Sequence, residues 1–326
     1  MGKLAVADVA EVVGAEVADT LSVIKAGPQM LIQDLGRRGC QHLGISVGGV
    51  ADSHAAGWAN RLLDNPANAA LLEICLGGVA LRFLRAARFA LTGADLNWQL
   101  DGRALGNWQS YSAAAGAVLS GGLAVQGVRA YMALAGGIAV APICGSLATT
   151  VAEGIGGIHG QALQSGDQLP APVAPATAFM TRRTPAMFCR DYPAELLLRV
   201  VPSNQHHLFG EHQLCAFFSQ EYRVSPASDR MGVRLQGTAL ASPPQGLISE
   251  PVAAGAIQVP ANGLPIVLMP DCQTIGGYPK IGHVYRVDLD RLAQARPGQR
   301  VRFLRGSRAE AQAEWLLQRR FFHGGA

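Results

Sequence analysis

The sequence predicts a mainly β protein with a few helices, arranged as two tandem β-barrels. Three observations carry that expectation. Short apolar alternations bounded by glycine, proline and asparagine recur along the 326 residues, the pattern of half-buried strands closed by turns. The 39 glycines supply turn conformations and favour a barrel or sandwich over an alternating βα sheet. The chain also repeats itself at an offset of 177 residues, the distance from Asp52 to Asp229 and from Glu73 to Glu250. That period suits duplication of a whole small domain.

Taken in order, residues 1–20 mix alanine and valine with Asp8, Glu11, Glu16 and Asp19. They lack the basic start and apolar run of a secretory signal and read as a dispensable extension. Strands are expected at Leu21–Ile24, Leu81–Leu84 and Phe89–Thr92 in a first domain of residues 21–170. Asp52 sits where a helix N-cap belongs, ahead of Trp58, Leu62 and Leu63 at helical spacing. The proline-rich stretch from Leu169 to Pro185 marks a linker over 171–190. The second domain, 191–326, carries strand patterns at Leu196–Val201, Ala256–Val259, Pro265–Met269, His283–Val287 and Val301–Leu304. Ser307 and Glu310 form a capping box that opens a C-terminal helix through Trp315.

Hydrophobic residues make up 49% of the chain and charged residues 15%, a composition that excludes a disordered protein. No apolar run approaches the roughly 18 residues of a membrane helix. The six cysteines are scattered with no Cys-x-x-Cys pair, which argues for reduced cytoplasmic thiols and against a zinc site. A net charge of +4 without basic runs argues against nucleic acid as partner. Gly154–Gly160 fails the dinucleotide pattern, because His159 stands in the third glycine's place. No Gly-x4-Gly-Lys-Ser/Thr loop is present. His206, His207, Glu211 and His212 lie close together but read as a polar loop and not a metal centre.

The repeat aligns two carboxylate ladders, Asp52–Glu73–Asp95 and Asp229–Glu250–Asp271. The first reads as structural. The second is more decorated: Arg230 follows Asp229, and Asp271 opens a segment containing Gln273, Thr274, Gly276, Gly277, Tyr278 and Lys280. Paired glycines let backbone amides approach a ligand closely. The lysines are Lys3, Lys25 and Lys280 alone, against an excess of arginine. A lysine kept in such a background is expected where a compact, titratable ammonium is needed. Such a loop suits an anionic or carbonyl-bearing ligand, with Lys280 stabilising developing negative charge.

Several ordered motifs resemble a known family: Gln33–Arg37, Leu72–Gly78, Gly93–Asp95, Arg129–Gly137, Ser225–Gly232, Gly255–Pro260 and Gln273–Gly282. They are similar to the allophanate hydrolase subunit 2 family, also called the biotin-dependent carboxyltransferase family, which includes the C subunit of 5-oxoprolinase. The resemblance spans residues 21–305. It implies tandem cyclophilin-like barrels and a hetero-oligomer with a subunit-1 partner of the B type. It further implies ATP-dependent opening of a small lactam or amide, with ATP shared with the partner. The expected site holds Lys280 as electrostatic stabiliser, Asp271 or Glu250 as acid/base, and Asp229, Arg230, Gln273, Thr274, Gly276, Gly277 and Tyr278 as binding residues. Alternatives are carboxyl transfer to urea from biotin on a separate carrier, and a non-catalytic protein that sequesters its subunit-1 partner. The chain departs from the family pattern at Leu147, Gln161 and Cys272, where arginines are usual. Each removes a charge-assisted contact.

Overall fold

The computed structural model describes residues 16–173, 180–240 and 246–323. It divides into two compact units. The first comprises residues up to Arg37 and Asp52–Asp191, the second Arg38–Ala51 and Tyr192 onward.

The first unit is built on β1 (Val17–Lys25), β2 (Gln29–Gln33), β3 (Leu71–Cys75), β4 (Gly77–Phe83), β5 (Ala87–Asp95), β6 (Gln99–Leu100), β7 (Arg103–Ala104), β8 (Gln109–Ala113), β9 (Val118–Leu123), β10 (Gln126–Leu134) and β11 (Gln168–Pro172). These form a six-stranded sheet ordered β11-β1-β4-β9-β6-β7 and a five-stranded sheet ordered β2-β3-β10-β5-β8. Strand β4 alternates buried and less buried residues along Gly-Gly-Val-Ala-Leu-Arg-Phe, as a one-sided strand must. Strand β10 is buried almost throughout, which fits its near-continuous apolar run. Trp98, Phe83 and Phe89 anchor the core. At the β3–β4 turn, a Cβ on Gly77 would lie 2.1 Å from the Gly122 carbonyl oxygen, and its φ is +84°. Only glycine fits there.

The second unit contains β12 (Glu195–Pro202), β13 (Tyr222–Val224), β14 (Gly232–Gln236), β15 (Glu250–Pro251), β16 (Ala256–Gln258), β17 (Ile266–Leu268), β18 (Ile275–Gly276), β19 (Lys280–Val284) and β20 (Arg300–Arg305). Seven of them close a barrel in the order β12-β19-β16-β17-β14-β13-β20, and β15 and β18 pair as a separate ribbon. Leu196, Leu198 and Val200 of β12 face inward with Tyr222, Phe217 and Phe303. The rings of Phe217 and Phe303 stack at 4.5 Å. The mainly β character and the barrel agree with the expectation from sequence; closure into one barrel is seen in this unit.

Several local expectations are corrected. Strand β1 begins at Val17 and pairs with β11, so residues 17–20 are part of a sheet; residues 1–15 lie outside the described residues. Leu169–Pro172, assigned in part to a linker, is strand β11, and Arg182 hydrogen-bonds Ser110 through its backbone N–H at 2.9 Å. Residues 174–179 of that stretch lie outside the described residues. The strand expected over His283–Val287 stops at Val284, and Arg286–Leu292 is helical. Leu289 and Leu292 bury one face of that helix while Arg199 pairs with its Asp288. The polar loop near His206 is a short 3-10 turn followed by a helix, Glu211–Ser219, packed through Phe217. Asp52 does cap the Ser53–Arg61 helix, accepting from the Ala55 N–H at 3.0 Å.

Candidate functional site

The two carboxylate ladders share spacing but not surroundings. Glu73 is buried in β3, where its Oε2 accepts from the Tyr131 hydroxyl at 2.8 Å and Arg129 stands 3.5 Å from Oε1. The Asp52 N–H donates to the same hydroxyl at 2.8 Å. Burial, then the charges of Glu73 and Asp52, push the Tyr131 phenol well above its ordinary range, so it stays a neutral bridge. Asp95 accepts from the Asn97 N–H in a turn. In the second ladder Asp229 is exposed and accepts from the Met231 and Gly232 N–H groups, a turn-closing role.

Asp271 is held differently. Arg230 grips it in a fork, Nε to Oδ2 at 2.7 Å and Nη2 to Oδ1 at 2.8 Å. Both groups are buried, and Arg230 Nη2 also donates to the Gly49 carbonyl at 2.6 Å. With each oxygen taken by a guanidinium, Asp271 is poorly placed to move protons. Next to it, burial foremost and the Asp271 charge second push the Cys272 thiol up to about 12, so the thiol is protonated and inert at neutral pH. The two other positions where arginine was expected differ in kind: Leu147 packs against the first core and Gln161 is exposed.

Lys280, Glu250 and three glutamines form a second cluster. Lys280 lies at the start of β19 and is only 3% exposed. Its Nζ is 3.4 Å from Glu250 Oε1 and has no hydrogen-bond partner among the described residues. Glu250 sits at the ribbon edge with its side chain 35% exposed. Gln205 ties the two together: its Oε1 accepts the Lys280 N–H at 2.8 Å and its Nε2 donates to Glu250 Oε1. Ser203 Oγ donates to the Lys280 carbonyl and accepts the Gln205 N–H at 3.1 Å. Gln258 on β16 is the register partner of Lys280, next to a bulge in the pairing. Directly paired residues present side chains to the same face. The Lys280 charge also reaches His283, whose pKa is lowered from 6.5 by burial first and by Lys280 second.

The glycine loop closes over this cluster. Gly276 pairs with Glu250 across the β15–β18 ribbon. Gln273 is exposed, and its Nε2 reaches Gln258 Oε1 at 3.5 Å. The Thr274 carbonyl accepts the Val252 N–H at 3.0 Å. A Cβ on Gly277 would stand 3.2 Å from Ser249 Oγ, so the loop lies close along the strand before it. Tyr278 is 51% exposed. Of the expected residues, Lys280, Glu250, Gln273 and Gly276 come together; Thr274, Gly277 and Tyr278 flank them in the loop. Asp271 and Arg230 form the separate closed pair, and Asp229 closes a turn. Gln205, Gln258 and Ser203 were not anticipated. Gln258 lies in the Gly255–Pro260 motif, the one signal that pointed toward it. Among the described residues there is no grouping of His, Cys, Asp and Glu able to hold a metal ion, and no helix is long and apolar enough to cross a membrane.

Known proteins resemble this chain in sequence and fold. The chain is 37% identical over 303 residues to the C subunit of 5-oxoprolinase from Escherichia coli strain K12, a match that takes in 93% of this chain and 96% of that protein. It is 35% identical over 292 residues to the corresponding 5-oxoprolinase protein of Haemophilus influenzae, with 89% and 93% covered. The crystal structure of Kluyveromyces lactis urea carboxylase superposes with a TM-score of 0.86 at 25% identity. That match covers 94% of this chain but 29% of the larger enzyme. Residues 43–305 match the family described as carboxyltransferase domain, subdomain A and B, and with relatives this similar over nearly their whole length the chain belongs to that carboxyltransferase-domain family.

Proposed function

We propose that this chain is the C-type subunit of a 5-oxoprolinase-type hydrolase. It opens a small lactam or amide together with a subunit-1 partner of the B type, at the expense of ATP and in the cytoplasm. The observation that carries the chemistry is the Lys280 ammonium, buried and lacking a hydrogen-bond partner among the described residues except for an ion pair with one Glu250 oxygen. A buried ammonium with open donors is a preorganised stabiliser for a carbonyl oxygen that gains negative charge. We assign proton transfer to and from the amide nitrogen to Glu250, which Gln205 holds and which is partly open to solvent. Lactam hydrolysis needs both acts: charge collects on oxygen as water adds, and nitrogen must be protonated as its bond to carbon breaks.

A triphosphate does not suit this cluster, whose ammonium, Lys280, stands 3.4 Å from the Glu250 carboxylate. We therefore assign nucleotide binding to the partner. The relatives' designation as subunits supports a multi-subunit assembly. The likeness to urea carboxylase keeps urea as the alternative substrate, with biotin on a separate carrier.

The test is reconstitution with the partner subunits, measuring phosphate release with 5-oxoproline, urea or no substrate. Release stimulated by 5-oxoproline is the expected result. Stimulation by urea with a biotin carrier supports the carboxyltransferase reading, and a tight complex without turnover supports sequestration. Lys280→Met should lower kcat by about 100-fold or more while the complex still assembles. Full turnover by that variant would remove Lys280 from the mechanism.

A further inference from the structure

Beside Lys280 there is a second open donor. Gln258 is 2% exposed, and its Nε2 has no hydrogen-bond partner among the described residues. Its Oε1 accepts from Gln273 Nε2 at 3.5 Å. A buried donor left unmade costs about 1–3 kcal/mol, and here two such nitrogens occur at paired positions of neighbouring strands. Gly276 packs close against the amide, since a Cβ there would fall 2.6 Å from Gln258 Nε2. Gly276 is in turn the register partner of Glu250. Lys280 and Gln258 thus offer donors, while the Glu250 carboxylate, bound by Gln205 through Oε1, offers an acceptor.

Donor, donor and acceptor side by side match one edge of a cis amide, where carbonyl oxygen and N–H lie on the same side. A carboxylate does not match, because it brings no N–H to Glu250 and adds negative charge beside it. We propose that Gln258 is a substrate-binding, specificity-determining residue. Its side-chain NH2 and the Lys280 ammonium jointly hold the carbonyl oxygen of a lactam, urea or primary amide whose N–H donates to Glu250. Gln205 acts as a positioning residue, since it holds Glu250 and the Lys280 backbone in register. This inference rests on the lactam or amide reading above, and it predicts rejection of the ring-opened carboxylate product.

The experiment uses the full chain in the reconstituted complex, with calorimetric binding of 5-oxoproline, N-methyl-5-oxoproline and glutamate alongside steady-state kinetics. Wild type should bind 5-oxoproline at least about 10-fold more tightly than the N-methyl analogue or glutamate, the factor that one lost hydrogen bond represents. Gln258→Leu and Gln258→Glu should each raise KM for 5-oxoproline about 10-fold or more. Gln258→Glu also guards against misfolding, because its carboxylate is isosteric and faces Lys280; its melting temperature is expected to match wild type. Equal binding of the N-methyl compound, no binding of 5-oxoproline, or an unchanged KM in a folded Gln258 variant overturns the proposal. Binding that follows these rules without 5-oxoproline-stimulated phosphate release would instead overturn the hydrolase reading and leave the Gln258 assignment standing.

Discussion

Lys280 and Asp271, two charged residues close in sequence, sit in different surroundings. Lys280 was legible from sequence because it survives in a chain otherwise stocked with arginine, and its ammonium is buried with open donors. Asp271 looked equally chemical from its neighbours, yet the structure gives both of its oxygens to Arg230. Breaking a buried pair leaves one charge uncompensated, at a cost of about 3–5 kcal/mol. Asp271→Asn is therefore expected to lower stability by about 3 kcal/mol in a denaturant melt, while kcat of the folded fraction stays within a few-fold of wild type. A collapse of kcat without loss of stability would return Asp271 to the catalytic machinery. Gln205 and Gln258 escaped the sequence reading for a plain reason. A glutamine carries no charge and no spacing rule; a hydrogen bond to the Lys280 N–H brings Gln205 to it, and strand register pairs Gln258 with it.

At the scale of elements, alternation and capping carried most of the information. Strand β20 reads Arg-Val-Arg-Phe-Leu-Arg with Val301 and Phe303 buried, and the Ser307 hydroxyl caps its helix by accepting the Glu310 N–H at 3.2 Å. The helix at Arg286–Leu292 was missed because His283-Val-Tyr-Arg-Val alternates well enough to continue β19. What ends the strand is tertiary. Arg199 on β12 donates to both oxygens of Asp288 and also pairs with Glu314 on the C-terminal helix, and these two carboxylates raise its pKa. Arg199→Met would leave the buried Asp288 carboxylate without its guanidinium. The expected loss is about 3 kcal/mol, read as a lower denaturation midpoint, with Arg199→Lys recovering part of it. No change would mean that the helix is held by its leucines alone.

For the whole molecule, one partly buried imidazole contributes to acid sensitivity. His283 resists protonation because burial and the Lys280 charge disfavour its cationic form. The unfolded chain, with an imidazole at its ordinary 6.5, takes up the proton first, so stability falls as pH drops below about 6.5 and levels off beneath the native value. His283→Gln should flatten that part of the pH–stability curve, as followed by thermal melts from pH 8 to pH 4; an unchanged slope would assign the acid sensitivity to other groups. The sequence by itself determined a β-rich chain with turns set by glycine, a capped helix after Asp52, and a lysine set apart from its arginine background. Those features are local, written in periodicity, capping residues and composition, and so they survive without knowledge of partners. Tertiary structure decided the rest. Arg38–Ala51 belong with the second unit, the matched ladders Asp52–Glu73–Asp95 and Asp229–Glu250–Asp271 serve unlike roles, and Lys280 meets Gln258 through β16–β19 register. Register and burial join residues far apart in the chain, and equal spacing along the chain holds no record of which of them will meet.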